Sequence, residues 1–230
     1  MDERLISAKI AKLLERVRLA AEKSQRPPGA ITVLAVSKTH PAQAIRAAHR
    51  CGLEHFGESY LQEALAKMEE LADLPLTWHF IGPIQSNKTR PIAEHFAWVH
   101  SVDRGKIAQR LNDQRPPALP PLQVCLQVNI SGETSKSGVS LEELPRLAQE
   151  VAGMPRLQLR GLMAIPAPTT DAAQQRAAFA SLRRALAQVQ AFAPGVDTLS
   201  MGMSDDLEAA IAEGATMVRI GTDIFGSRSR

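Results

Sequence analysis

The sequence predicts an α/β fold, a single (β/α)8 TIM barrel with an extra N-terminal helix, spanning residues 1–230 as one domain. Three observations predict it. Short apolar runs recur eight times, the first of them the β-branched run 31–36, and a segment of helical period separates each from the next. Most of the runs are continuously apolar rather than alternating, the mark of parallel strands covered on their outer face. No GxGxxG occurs, whereas an open doubly wound sheet, the alternative architecture, would want that fingerprint in its first turn.

The elements follow in order. Residues 2–25 carry apolar positions at Ile6, Ile10, Leu13, Leu14 and Val17, and Lys9, Lys12 and Glu15 interrupt any apolar run. That spacing is an amphipathic helix lying on a core, not a targeting signal. Strand 1 is 31–36, preceded by the breakers Pro27, Pro28 and Gly29, and helix 41–50 follows. Strand 2 is 53–57 with helix 59–71; strand 3 is 78–81, closed by Gly82-Pro83. Ser86 reads as the N-cap of the next helix. Strand 4 is 97–102 with helix 104–112, and 115–121 is a stiff linker too short to divide domains. In the second half the strands are 124–130, 157–163, 196–201 and 217–220. Helices 141–151, 171–192 and 205–212 separate them.

Composition narrows the function. With 44% hydrophobic and 22% charged residues the 230-residue chain has ordinary globular composition and can bury a core without staples. Two cysteines, Cys51 and Cys125, belong to no CxxC pair, which favours a reducing, cytoplasmic setting and argues against structural zinc. The net charge of +3 is small and scattered, without a Lys/Arg run, so nucleic acid is not an expected partner. No stretch reaches the roughly 20 apolar residues of a membrane span. The six histidines show no HExxH or clustered metal spacing.

A barrel places its chemistry at the C-terminal ends of its strands. Strand 1 presents Ser37 and Lys38; strand 2, Glu58 and Ser59; strand 3, His79; strand 5, Asn129 and then Lys136; strand 6, Met163. Strand 7 presents Ser200, Gly202 and Ser204, and strand 8 Arg219, Gly221 and Thr222. An apolar run leads straight into Lys38, and a lysine leaving a core is desolvated toward a usable amine, the nucleophile that forms Schiff bases. By itself Lys38 reads more readily as a strand-ending lysine that snorkels to solvent. The glycine-bearing turns after strands 7 and 8 shift the balance, because these loops are where barrels most often hold phosphate. Ser204 is a natural N-cap for a helix starting near Asp205, and free amides at a helix start attract anions. Asp205 and Asp206 must then point outward.

An aldehyde-trapping lysine beside a phosphate cup suggests pyridoxal 5'-phosphate. The chain also resembles the YggS/PROSC-type pyridoxal phosphate homeostasis proteins, single-domain relatives of the alanine racemase barrel (fold type III). The likeness runs through Ala35-Val-Ser-Lys-Thr39, His55-Phe-Gly-Glu-Ser-Tyr60, Trp78-His-Phe-Ile-Gly-Pro-Ile-Gln-Ser-Asn-Lys88 and Val128-Asn-Ile130. It continues through Ser135-Lys-Ser-Gly138, Arg160-Gly-Leu-Met-Ala-Ile165, Ser200-Met-Gly-Met-Ser-Asp-Asp206 and Met217-Val-Arg-Ile-Gly-Thr222. The resemblance implies that Lys38 is the cofactor lysine, that Ser200, Ser204, Gly221 and Thr222 bind phosphate, and that Arg219 faces the pyridine nitrogen. Asn129, His79 and Met163 complete the expected cofactor-binding set. Two departures are Ser59, where the family usually has asparagine, and Asp223, where it usually has a small residue.

The expected function is a non-catalytic pyridoxal phosphate-binding protein, a monomer that holds the cofactor on Lys38 and supplies it to apoenzymes. The alternative is a small racemase or lyase using Lys38 as base. Against it, the only tyrosine, Tyr60, lies in the strand 2 loop, and little chain follows strand 8 to build a capping domain. A cation at Arg219 would also keep the ring nitrogen unprotonated and weaken the electron sink. Lys136 is a candidate second aldehyde acceptor on the way out.

Overall fold

A computed structural model describes residues 3–131 and 137–226. Lys136 lies outside the described residues. Eight parallel strands close into one barrel in sequence order, with the first beside the last. They are β1 (Thr32–Val36), β2 (His55–Glu58), β3 (Thr77–Phe80), β4 (Trp98–Val102), β5 (Leu122–Gln127), β6 (Leu157–Met163), β7 (Thr198–Ser200) and β8 (Met217–Ile220). The helices are α1 (Glu3–Lys23), α2 (Ala42–Arg50), α3 (Leu61–Glu70), α4 (Thr89–His95), α5 (Gly105–Gln114), α6 (Leu144–Ala152), α7 (Ala172–Gln190), α8 (Leu207–Ala212) and α9 (Thr222–Phe225).

Alternation along the strands sorts side chains into two interiors. Val33, Ala35, Phe56, Val99, Leu126, Leu162, Val218 and Ile220 face out and join one apolar layer with the helices. Leu34, Cys125, Met163 and Met217 are as deeply buried but stand apart from that layer, inside the ring of strands. His79, His100, Ser200 and Arg219 share this inner space, all at most 5% exposed. The strands are therefore covered on their outer face, as predicted, and buried on the inner face as well, where His79, His100, Ser200 and Arg219 make the interior polar.

The N-terminal helix is α1. It buries Ile6, Ile10, Leu13 and Val17 and packs on α2, α8 and α9. Leu14 is 40% exposed, because neighbours on a helix point about 100° apart and Leu13 already faces the core.

Several boundaries differ from expectation for local reasons. Ser86 does not cap a helix; it opens a 3-10 turn, Ser86–Lys88, and makes no capping hydrogen bond. Pro91 fixes the start of α4 at Thr89, since proline is tolerated only in the first turn. β5 begins two residues early and stops at Gln127, after which Val128 bridges Val139 and the Asn129 amide donates to the Val139 carbonyl (2.9 Å). β7 keeps only three residues, and Gly202 then turns the chain at φ 94°. Among the described residues no helix is long and apolar enough to cross a membrane. Nor does any group of His, Cys, Asp and Glu among them have the arrangement to hold a metal ion.

Candidate functional site

Lys38 sits on a braced turn. Beyond β1, Ser37 donates its amide to the Gly57 carbonyl (3.1 Å) and its hydroxyl to Glu58 Oε1 (2.6 Å). Lys67 of α3 donates to the same carboxylate oxygen (2.8 Å), to the Ser37 carbonyl (2.9 Å) and to Glu63. Burial pushes the Glu58 carboxyl above its usual range, against the pull of Lys67. On the other side of Lys38, the Thr39 amide donates to Glu63 Oε1 (2.6 Å). Thr39 stands at φ 67°, a left-handed conformation that a β-branched residue adopts only where its surroundings enforce it. The Glu58–Lys67–Glu63 network supplies that enforcement. It fixes the residues on both sides of Lys38.

Half-buried Lys38 lines a cleft of about 30 Å³ with Val36, His40, Gly221 and Thr222. This is the volume of roughly one water. A wider cleft of about 260 Å³ opens at the mouth between Ile81, Pro83, Gln127, Ser137 and Ile165. His40 stacks on Phe225 (5.0 Å between ring centres, 27°) and so holds the Lys38 loop against α9.

The turns after β7 and β8 form the neighbouring wall. Gly202 must be glycine: a Cβ there would lie 2.5 Å from the Ala210 Cβ, at a φ that side chains avoid. Its carbonyl accepts the Arg219 amide (2.9 Å), locking the two turns together. Ser204 is not the N-cap of α8. Asp206 takes that position, and its carboxylate folds back to accept the Met203 amide (2.6 Å). That contact closes the turn and delays the helix to Leu207. Asp205 is exposed as expected, whereas Asp206 is half-buried and its carboxyl is raised by burial. Among the described residues, the Ser204 hydroxyl and the amides of Ser204, Gly221 and Thr222 make no hydrogen bond. These donors face the same end of the barrel as Lys38.

Asp223 is turned away from these donors. It pairs with Arg16 of α1 (2.5 Å), which also binds Glu208 (2.8 Å) and the Ser204 carbonyl (3.1 Å). One arginine thus compensates two carboxylates and joins the N-terminal helix to both turns.

Arg219 lies beneath the turns, its guanidinium donating to the Ser200 carbonyl (2.6 Å), Ser200 Oγ (2.9 Å) and the Ala164 carbonyl (3.0 Å). Burial lowers its pKa to about 10, so it remains a cation at neutral pH. Ser200 Oγ also meets His100 Nδ1 at 2.8 Å. His100 Nε2 meets His79 Nδ1 at 2.9 Å, and His79 Nε2 meets His55 Nδ1 at 2.9 Å.

The structure therefore divides the residues expected from sequence. Lys38, Gly221 and Thr222 share a cleft, with Ser204 on the adjoining turn and Arg219 and Ser200 below. Met163 ends β6 in register with Ser200 and is buried inside the barrel. Asn129 is half-buried beyond β5. His79 is not at the mouth; it is the third residue of β3, fully buried and stacked on Trp98 (5.4 Å, 15°). Sequence reading missed His55, His100, Arg16 and the Glu58–Lys67 pair. The three histidines each fall at an inward strand position, a signal that counting alternation on strands 2, 3 and 4 together could have found.

A closed parallel barrel carrying a lysine at the end of β1 and two amide-rich turns after β7 and β8 defines an alanine racemase-type barrel. The profile of the alanine racemase N-terminal domain family matches residues 9–229. The chain belongs to that family, among its pyridoxal phosphate homeostasis proteins. It is 66% identical to the pyridoxal phosphate homeostasis protein of Pseudomonas aeruginosa, over 97% of this chain and 96% of that one. The protein of the same name from Escherichia coli K12 is 54% identical, over 97% of each chain. Among solved structures, PipY of Synechococcus elongatus with PLP bound superposes with a TM-score of 0.83 at 43% identity, covering 96% of this chain and all of that one.

Proposed function

We propose that this protein binds pyridoxal 5'-phosphate at the mouth of the barrel, serves its homeostasis in the cytoplasm, and acts as a monomer that passes the cofactor to apoenzymes. The observation that carries the reading is the cleft shared by Lys38, Gly221 and Thr222, beside donors that the fold leaves unused. These residues fit the cofactor. The Lys38 amine would hold its aldehyde carbon as a Schiff base, with loss of one water; the Ser204 hydroxyl and the Gly221 and Thr222 amides would take the phosphate, and the Arg219 cation would face the ring nitrogen. When bound, the cofactor supplies an electrophilic carbon and an electron sink.

Turnover is not part of the proposal. Carbanion chemistry needs an acid/base on the face opposite the lysine. Tyr60, the only tyrosine, is 52% exposed and lines a separate cleft with Ser59, Pro83 and Lys88. His40 reaches the Lys38 cleft but is packed face-on against Phe225. A cationic Arg219 further disfavours a protonated ring nitrogen.

The test is addition of pyridoxal phosphate to the purified protein, borohydride reduction and peptide mapping. The pyridoxyl group is expected on Lys38, and its recovery only elsewhere would overturn the reading. Transfer is checked by mixing loaded protein with a pyridoxal phosphate-dependent apoenzyme and following recovery of that enzyme's activity. Exchange of the α-proton of alanine, serine or threonine in deuterated water should not exceed that with free cofactor. Sedimentation of the loaded protein should give the mass of one chain.

A further inference from the structure

We propose that His55, His79 and His100 form a one-way hydrogen-bond chain that ends on Ser200 and holds Arg219 in position for the ring nitrogen of bound pyridoxal phosphate. The proposal rests on the cofactor reading above and assigns a task to three imidazoles that reading does not use.

The polarity of the chain follows from its two ends. Arg219 can only donate, so Ser200 Oγ accepts from it (2.9 Å). Ser200 Oγ also lies 2.8 Å from His100 Nδ1, and one of the two atoms must supply the proton. If Ser200 donates, His100 carries its proton on Nε2 and gives it to His79 Nδ1, and His79 carries its own on Nε2 and gives it to His55 Nδ1. If the order were reversed, every N–H dipole would point its positive end at the Arg219 cation. The Ser200 proton would also need another acceptor. Inside a low-dielectric barrel the first arrangement wins.

The rings have the protonation state that such a chain requires. Burial and neighbouring charge hold His79 well below the ordinary histidine range and lower His100 to about 3, and burial lowers His55. Each ring is then neutral, with one donor and one acceptor. The Cys125 thiol inside the barrel is pushed up to about 12 and stays neutral, and Asp206, whose carboxylate acts on Arg219, is taken by the Met203 amide.

Chain length has the same explanation. A lone His100 would leave its Nε2 proton buried without an acceptor. His79 takes that proton and creates the same problem one step on. His55, at the first position of β2 and only half-buried, ends the series where water can reach it.

The chain reassigns Ser200. Its proton goes to His100 and its oxygen accepts from Arg219, so its hydroxyl anchors the arginine rather than donating to phosphate. The three histidines and Ser200 are positioning residues for Arg219.

Two measurements test this. In ligand-free protein with ¹⁵N-labelled histidine at pH 7.5, His79 and His100 should both carry their proton on Nε2. A proton on Nδ1 of either ring would overturn the chain. The second measurement is affinity for pyridoxal phosphate, with inorganic phosphate as a competitor. His100→Leu and Ser200→Ala should each weaken pyridoxal phosphate about tenfold and leave phosphate competition unchanged, because they loosen the ring side of the site only. His100→Gln, whose amide oxygen can accept from Ser200, should recover most of the loss. Ser200→Ala removes one oxygen, so it keeps the test open if His100→Leu does not fold. Wild-type affinity in Ser200→Ala, or an equal loss for phosphate, would overturn the proposal. Absence of a visible band when wild-type protein meets pyridoxal phosphate would instead sink the cofactor reading, and the proton positions would still decide the chain.

Discussion

The strands of this barrel separate two interiors built on different rules. Outside the ring, Val99, Leu111, Leu126, Leu162 and Val218 fill an apolar layer against the helices, all unexposed. Inside it, His79, His100, Ser200 and Arg219 occupy equally buried space with polar groups that satisfy one another. Burying apolar surface stabilises at roughly 25 cal/mol per Å², whereas a buried polar network at best recovers its desolvation cost. The outer layer therefore carries stability, and the inner column gives some of it up to hold the Arg219 cation on fixed partners. Conditions and substitutions should act on the two regions separately.

The largest expected contrast is between Lys38→Ala and Leu111→Ala. Loss of Lys38 should abolish the visible band formed with pyridoxal phosphate and leave the unfolding midpoint nearly unchanged, because this half-buried side chain belongs to neither packed interior. Leu111→Ala should cost about 2–5 kcal/mol, the usual range for emptying a buried leucine site, and leave cofactor affinity of the folded protein intact. Denaturant unfolding and absorbance titration of both variants check this. A band that survives in Lys38→Ala would break the assignment of the site.

Next in size come charges placed in the proposed phosphate cup. Gly221→Glu and Ser204→Asp should each weaken pyridoxal phosphate by about tenfold or more, since like charges repel strongly where water is scarce. Gly221 has ordinary backbone geometry, and an added Cβ would stand 3.4 Å from the Val36 carbonyl, so the side chain can be accommodated. Fluorescence titration reads the effect, and unchanged affinity in both variants would move the phosphate elsewhere.

Acid should single out the inner column. His79 and His100 are held neutral when folded but bind protons near pH 6.5 when unfolded. Below 6.5 the unfolded state therefore holds more protons, and stability falls as pH drops. The stabilisation is present above pH 6.5 and is lost progressively toward the folded value of His100, about 3. Between pH 6 and 4 these two rings should give the unfolding free energy a slope of about two protons. His100→Gln should remove about one of them, and an unchanged slope would mean that the ring is not held neutral.

What the sequence made legible follows the same division. Eight apolar runs announced the strands because their outward residues form one hydrophobic layer, and the cleft shared by Lys38, Gly221 and Thr222 was readable because strand ends of a barrel meet at one mouth. The inner column was not, because His55, His79 and His100 come from three strands and their meeting depends on barrel closure. Ser86 and Ser204 looked like caps, yet Pro91 and the Asp206 carboxylate set those helix starts. Asp223 looked like a threat to the phosphate, since nothing local announces that Arg16, 207 positions earlier, will pair with it.

That pairing gives the smallest effect. Arg16 and Asp223 are each about one-third exposed, a setting in which an ion pair contributes at most about 1 kcal/mol. Asp223→Ala should therefore leave both stability and pyridoxal phosphate affinity close to wild type, because its carboxylate is already neutralised and turned from the cup. Arg16→Met should do more, weakening the cofactor about two- to threefold. It releases the Asp223 and Glu208 carboxylates beside the Thr222 turn and frees the Ser204 carbonyl that Arg16 holds. If charge is the cause, the double variant Arg16→Met/Asp223→Ala should recover much of that loss, and added salt should shrink the difference by screening. If the mechanical tie to Ser204 is the cause, the double variant should stay as weak as Arg16→Met at every salt concentration. Affinity that rises in Asp223→Ala alone would show that the carboxylate reaches the phosphate despite Arg16, and the cup would then have to be redrawn around it.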